Sequence, residues 1–158
     1  MIRPAYKEEA RILTELSFAS KGYWNYPASY FEIWKDELTI GAGYIEKNDV
    51  YVCIRETTIA GYYALVELEN DVVISGITIN RGHWLEHMFV RPKYIGGGIG
   101  TELFGHLRKR CEGLSIKRLG ILADPNSKGF YEKMGCRYRR EIPSTIQNRT
   151  TPFLTLDI

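Results

Sequence analysis

VRPKYIGGGIGTELF, residues 90–104, places four glycines within five positions (Gly96, Gly97, Gly98 and Gly100), between an apolar run and a segment of helical spacing. Glycine in quantity weakens ordinary structure, because it loses more backbone freedom on folding than any other residue. A strand, a glycine loop and a helix in succession make a natural anion site. The first N–H groups of a helix have no partner within it, and the helix dipole adds partial positive charge there. Gly96, Gly97, Gly98 and Gly100 are expected to offer N–H groups to a phosphate, and Thr101 a hydroxyl. A Walker loop requires a lysine after its last glycine, and Thr101 stands there instead. A dinucleotide fingerprint requires a third glycine at its sixth position; from Gly96 that position is Thr101, and from Gly98 it is Leu103. The alternative at this point is a glycine-rich turn with no ligand.

The rest of the composition narrows the classes. The 158 residues suit one domain, with 44% apolar and 25% charged residues, ordinary values for a folded chain. Lys and Arg number 21 against 19 Asp and Glu, which argues against a dedicated nucleic-acid surface. Cys53, Cys111 and Cys136 are odd in number and show no CxxC spacing, so free thiols in a reducing, cytoplasmic setting are expected. They form no metal-ligand spacing with His83, His87 or His106, and no metal site is expected. The start, MIRPAYKEEARIL, lacks the apolar core of a signal peptide, and no apolar run approaches the roughly 20 residues of a membrane span.

Periodicity predicts a short strand over Ile2 to Ala5 and a helix from Tyr6 to about Ser20, with Ala10, Leu13, Leu16 and Ser20 on one face. Ser29 is expected to cap a second helix that buries Phe31, Trp34 and Leu38. VYVCIR and GYYALVEL read as strands, VVISGITI as a further extended segment, and WLEHMFV as a strand ended by Pro92. A helix is predicted from about Gly100 to Glu112, a buried strand over Arg118 to Ala123, and a short helix over Lys128 to Met134 stopped by Gly135. Closing strands over Arg137 to Ile142 and Phe153 to Ile158 complete a mixed α/β domain around a central sheet.

Taken together, two motifs resemble those of the GCN5-related N-acetyltransferases, the GNAT superfamily. In that family a strand ending V-x-P leads into [QR]-x-x-G-x-[GA] and a helix. Here Val90-Arg91-Pro92 precedes Ile95-Gly96-Gly97-Gly98-Ile99-Gly100, with Gly98 and Gly100 at the family glycines and Ile95 in place of the usual Gln or Arg. The second stretch, ADPNSKGFYEKMGCRY, is similar to the family's strand-turn-helix segment: Asn126, Tyr131 and Gly135 fill its places, and Cys136 replaces a Phe. The SKGYW element, and the ending with IPS and Arg149 before Pro152, resemble a subgroup of small bacterial GNAT enzymes. The resemblance spans most of the chain and implies a single GNAT domain over residues 1–158, with a strongly twisted mixed sheet, splayed central strands and about four flanking helices. It implies acetyl-CoA as co-substrate, lying between the WLEHMFV and RLGILA strands, and direct transfer of the acetyl group to an amine. Family members often form dimers, so a homodimer is among the assemblies it implies.

The same resemblance assigns residues. Met88, Phe89 and Val90 would offer backbone N–H groups to the thioester oxygen and cofactor, and Ile95 through Thr101 would hold the pyrophosphate. Asn126 would contact the cofactor. Tyr131 matches the family's general acid, donating to the leaving sulfur; a core aromatic packing a short helix is its other reading. Glu86 alternates with Leu85, His87 and Phe89 along its strand. A carboxylate on that face would take the amine's proton, or pair with a neighbouring charge. His87 is the alternative base, with an ordinary pKa near 6.5. Lys21 and Trp24 fall in an irregular, aromatic-rich segment and are expected at the acceptor site, the lysine meeting an acceptor carboxylate. Arg91 and Lys93 flank the glycines as candidate phosphate contacts. A small primary amine is the expected acceptor; protein acetylation and a CoA-binding sensor without catalysis are the alternatives.

Overall fold

The computed structural model describes residues 1–74 and 76–158. β1 (Ile2–Pro4) pairs antiparallel with β2 (Asp49–Arg55), Ile2 opposite Cys53. Between them lie three helices. The first, α1 (Ala10–Gly22), begins later than its apolar spacing predicts, after a 3-10 turn over Lys7–Glu9. Glu9 accounts for the delay: its carboxylate accepts from the Tyr6 N–H at 2.8 Å and pairs with Arg3 at 2.6 Å. The buried stripe of α1 holds Leu13, Leu16 and Ser17 rather than Ser20. A serine is tolerated there because its hydroxyl donates to the Leu13 carbonyl at 2.7 Å and lies 2.6 Å from the Tyr62 hydroxyl.

The second helix, α2 (Ala28–Leu38), starts at Pro27, and Ser29 lies inside it rather than at the cap. The Pro27 carbonyl already accepts from Tyr30 N–H at 3.0 Å, and proline's fixed φ suits that entry. Trp34 and Leu38 are buried, as their spacing predicts. The third, α3 (Ala42–Lys47), is not foreshadowed in the sequence. Two glycines, Gly41 and Gly43, disfavour a helix by propensity, yet Gly41 is the cap, its carbonyl accepting from Ile45 N–H at 3.2 Å, and Ile45 is buried.

β3 (Thr58–Leu68) follows a turn with Glu56 at positive φ. The stretch expected to be one extended segment is instead a hairpin, β4 (Val72–Ile74) against β5 (Ile77–Ile79), with Gly76 at φ 78°; Ser75 lies outside the described residues. β6 (Gly82–Val90), α4 (Ile99–Gly113), β7 (Arg118–Leu122), α5 (Lys128–Lys133), β8 (Arg137–Pro143) and β9 (Thr150–Asp157) follow close to their predicted bounds. Among the described residues seven strands form a mixed sheet in the order β1-β2-β3-β6-β7-β9-β8, with five α-helices, the mixed α/β arrangement expected. The β6–β7 pairing is parallel and joins His83–Leu85 to Leu119–Ile121, while β6 runs on past it to Val90.

Residue contacts group the chain into two compact units, Met1–Ala64 with His87–Leu107, and Leu65–Glu86 with Arg108–Ile158. In the first, Leu13, Leu16, Val50, Val52, Ile59 and Tyr62 form the core. One glycine there is dictated by close approach. A Cβ on Gly61 of β3 would meet the Phe89 carbonyl oxygen at 2.8 Å and side-chain carbons of Ile99 and Leu103 at 3.1 Å. The end of β6 and the first turn of α4 therefore settle against bare backbone. In the second unit β7 and β9 bury Leu119 opposite Leu156 and Ile121 opposite Leu154. Gly120 between them makes room for the Trp84 ring, whose atoms lie 2.7 to 3.0 Å from where its Cβ would be.

Candidate active site

The glycine turn belongs to the first unit. β6 ends at Val90, and a 3-10 turn over Pro92–Tyr94 leads away from it. Arg91 fastens the strand end to β3: its N–H donates to Ala60 O at 2.7 Å and its Nε to Ile59 O at 3.0 Å. That guanidinium is thus engaged with backbone, and Lys93 lies 5.6 Å from the Tyr94 ring. Gly97 N–H closes the turn on Tyr94 O at 3.1 Å. Gly96 and Gly98 take φ of 84° and 85°, where an L side chain is strained. A Cβ on either would meet nothing within 4 Å, so the space beside these two residues is open for a ligand. The first helical bond at this end of α4 runs from Glu102 N–H to Gly98 O at 3.0 Å. The amides of Gly100 and Thr101, earlier in that turn, have no carbonyl within the helix to bond.

The four glycines therefore divide their labour: Gly96 and Gly98 make the bend, Gly97's amide is used within it, and Gly100 is already helical. Ile99 is buried in the core, Thr101 is exposed, and Ile95, at the position of the family's polar residue, is 36% exposed. Arg55 pairs with Glu102 in the first turn of α4. That ion pair balances the one carboxylate in the turn.

Met88, Phe89 and Val90 are half-buried at the end of β6. Just before them His87 is only 5% exposed, its ring 5.6 Å from Phe89, 6.0 Å from Tyr44 and 6.4 Å from Tyr62. Burial, with a smaller contribution from the Lys21 charge, pushes its pKa down to about 4. His87 is neutral at physiological pH and a weaker base than an ordinary imidazole. Lys21 does not project freely from an irregular segment. It lies in the last turn of α1, its ammonium 4.4 Å from the Trp34 ring centre and 5.7 Å from that of Tyr26. Trp24 is 38% exposed and packs edge-on to Tyr23 at 4.8 Å.

The second unit carries Glu86, Asn126 and Tyr131. Glu86 is exposed between buried Leu85 and His87, as alternation along β6 predicts. Tyr131 is buried in α5 and 6% exposed. Its carbonyl accepts the N–H of Cys136 at 3.0 Å and of Met134 at 3.1 Å, which ties it to the turn where Gly135 takes φ 97°. Burial raises the phenol well above its ordinary pKa, and the nearby Cys136 and Asp124 raise it further. Tyr131 therefore keeps its proton at any physiological pH. Asn126 stands in the 3-10 turn Pro125–Ser127, where its backbone N–H and Nδ2 both donate to Asp124 Oδ1, at 2.8 and 3.0 Å. Asp124 is not among the residues the sequence singles out; an Asp two residues before an Asn, with a proline between, is the signal for it.

The three cysteines are free, as their number and spacing predict, and all three are buried. Among the described residues no group of three or more His, Cys, Asp or Glu is placed to hold a metal ion, and no helix is long and apolar enough to cross a membrane.

Comparison with known proteins agrees with this architecture. Residues 36–148 match the family model described as an acetyltransferase (GNAT) domain. Over 89 residues, 54% of this chain and 61% of the relative's length, the sequence is 28% identical to the peptidyl-lysine N-acetyltransferase YiaC of Escherichia coli K12. A GCN5-related N-acetyltransferase of Rhodopseudomonas palustris superposes over 100% of this chain and 95% of its own, with a TM-score of 0.78 at 17% identity. The PaiA N-acetyltransferase of Thermoplasma acidophilum, solved with coenzyme A, covers 100% of this chain and 98% of its own, with a TM-score of 0.77 at 16% identity.

Proposed function

The chain belongs to the GNAT acetyltransferase domain family, and on that premise we propose that it transfers the acetyl group of acetyl-CoA to a primary amine of a small molecule, by direct transfer in a ternary complex. The observation that carries this reading is the bend at Gly96 and Gly98, two positive-φ residues with open space beside them at the start of α4. That is the local geometry a pyrophosphate needs, since backbone N–H groups can approach its oxygens without a side chain between. The coenzyme A bound to the structurally similar PaiA protein supports the choice of ligand.

Acetyl-CoA supplies the activated thioester carbonyl. The residues of this chain then have separate duties. The turn from Ile95 to Thr101 binds the pyrophosphate. The backbone N–H groups of Met88 to Val90 stabilise the negative charge that develops on the carbonyl oxygen. Glu86, exposed on its strand, takes the proton that the attacking ammonium must lose. His87 is not given that duty in this reading, because its ring is buried among Phe89, Tyr44 and Tyr62. Tyr131 holds a proton at its hydroxyl and donates it in a hydrogen bond to the departing sulfur. Because its pKa lies above that of an ordinary thiol, about 8.5, full proton transfer to the sulfur is uphill, and the phenol stabilises the departing thiolate mainly through that hydrogen bond. Asn126 contacts the cofactor. Lys21 and Trp24 face the acceptor; the ammonium held against Trp34 and Tyr26 suits an acceptor that also carries a carboxylate. The buried free thiols suit a cytoplasmic setting.

A second reading, acetylation of a protein lysine, is favoured by the name of the relative YiaC. One experiment separates the two: release of free CoA from acetyl-CoA, followed with a panel of small amines and a panel of lysine peptides. Turnover with small amines supports the leading reading, and turnover with peptides alone replaces it. Failure to release CoA with any acceptor would remove both.

A further inference from the structure

The loop between β8 and β9 is built to deliver one side chain. Ser144 Oγ accepts the N–H of Ile146 at 3.0 Å, and Ile146 is buried. Asn148 takes φ 62°, turning the chain back. Ser144 N–H then donates to Arg149 O at 2.8 Å, and Arg149 N–H to Ile146 O at 3.2 Å, so the loop closes on itself just before β9. From this closed loop the Arg149 guanidinium reaches Asp124 Oδ2 at 3.6 Å, both side chains being largely shielded from water, 16% and 11% exposed. The other oxygen of the same carboxylate, Oδ1, accepts both the backbone N–H and the Nδ2 of Asn126. The strands support this geometry: Ala123 N–H donates to Pro152 O at 3.0 Å, fixing the residue before Asp124 to the start of β9.

We propose that Arg149 is a positioning residue: through Asp124 it fixes the turn that presents Asn126 and leads into the helix carrying Tyr131. A shielded carboxylate whose partner is removed either rotates toward water or loses its charge, and in both cases its grip on Asn126 changes. Further bonds hold the turn. The structure gives it the bond from Ser127 N–H to Asp124 O at 2.8 Å and the two bonds to Oδ1. In the proposal Arg149 acts at one remove, through the Asp124 carboxylate. The role in the reaction rests on the acetyltransferase reading, whereas the fixing of the turn does not.

The test compares wild type with Arg149→Met, Arg149→Lys and Asp124→Asn. In Arg149→Met, amide hydrogen exchange at Asn126 and Ser127 accelerates about tenfold or more while amides in β7 and β9 keep their rates. In the same variant kcat falls about ten- to a hundredfold below the unfolding temperature, as expected for a misplaced reacting group, and acetyl-CoA affinity measured by calorimetry falls as well, because Asn126 contacts the cofactor. Arg149→Lys keeps the charge and restores most of kcat, and Asp124→Asn behaves as Arg149→Met does. Unchanged exchange at Asn126, or faster exchange with unchanged kcat, overturns the proposal. So does a fall in stability with kcat intact, which is what a merely structural ion pair would give. If wild type neither binds acetyl-CoA nor releases CoA, the acetyltransferase reading falls by itself, and the exchange rates alone then decide whether Arg149 fixes the turn.

Discussion

Lowering the pH from 7.5 to 5.0 is expected to remove about 2 kcal/mol of folding stability through His87 alone. The folded protein holds this imidazole at a pKa of about 4 against an ordinary 6.5. Burial is the main cause: the ring is enclosed by Tyr44, Tyr62 and Phe89, and a charge there loses its water. The Lys21 ammonium adds like-charge repulsion. The sign follows from proton counting. Below 6.5 the unfolded chain takes up a proton at His87 that the folded chain refuses, so its stability is intact above 6.5 and is lost as pH falls toward 4. Each pH unit in that window costs about 1.4 kcal/mol, and the interval from 6.5 to 5.0 gives about 2 kcal/mol. The window lies above the range where most carboxylates titrate. Urea unfolding at the two pH values, for wild type and His87→Gln, measures the effect as a difference of differences. The variant should lose markedly less stability over the interval than wild type. Equal losses in the two proteins would refute the reasoning, because the titrating group would then lie elsewhere.

Three further outcomes follow from the same geometry. Tyr131→Phe should lower kcat about a hundredfold or more with little change in acetyl-CoA affinity; steady-state kinetics beside calorimetry check this, and unchanged turnover when chemistry limits the rate sinks the acid role. Glu86→Gln should lower kcat, and a kcat and pH–rate profile matching wild type would dismiss Glu86 as the base. Gly61→Ala should destabilise the fold by about 1–3 kcal/mol and weaken acetyl-CoA binding as well, because the added methyl meets the Phe89 carbonyl and pushes on the first turn of α4; chemical unfolding and titration read the two effects.

The sequence carries the fold most clearly where a local rule and a packing need coincide. β6 alternates buried and exposed residues as its spacing predicts, and Gly135 stops α5 with the positive φ that glycine supplies. α3 was hidden because two glycines signal a break by propensity, although Gly41 serves as a cap and Ile45 supplies the buried contact that holds so short a helix. The stripe of α1 shifted to Ser17 because a hydroxyl partner, Tyr62, comes from a strand far along the chain. Gly61 and Gly120 could be read as weak points of their strands; only the approach of α4 and of Trp84 shows why no side chain stands there. The glycine bend was legible as a unit, since four glycines before a helix have few other uses. Which glycines bend and which lend an amide depends on the closing bond to Tyr94, a detail no spacing rule contains. Lys21 was placed in an irregular segment because Gly22 interrupts the pattern, yet α1 extends through Gly22 and directs the lysine onto Trp34.

In the proposed function the bend at Gly96 and Gly98 cradles the pyrophosphate of acetyl-CoA. Calorimetric titration of the purified protein with acetyl-CoA, and separately with ATP and NAD, addresses it directly. Gly98→Trp is the matching variant, since its ring would fill the open space beside the residue and strain its backbone. Micromolar binding of acetyl-CoA is expected, lost in Gly98→Trp, with far weaker binding of ATP and NAD. Absence of acetyl-CoA binding by wild type, or full binding by Gly98→Trp, would contradict it.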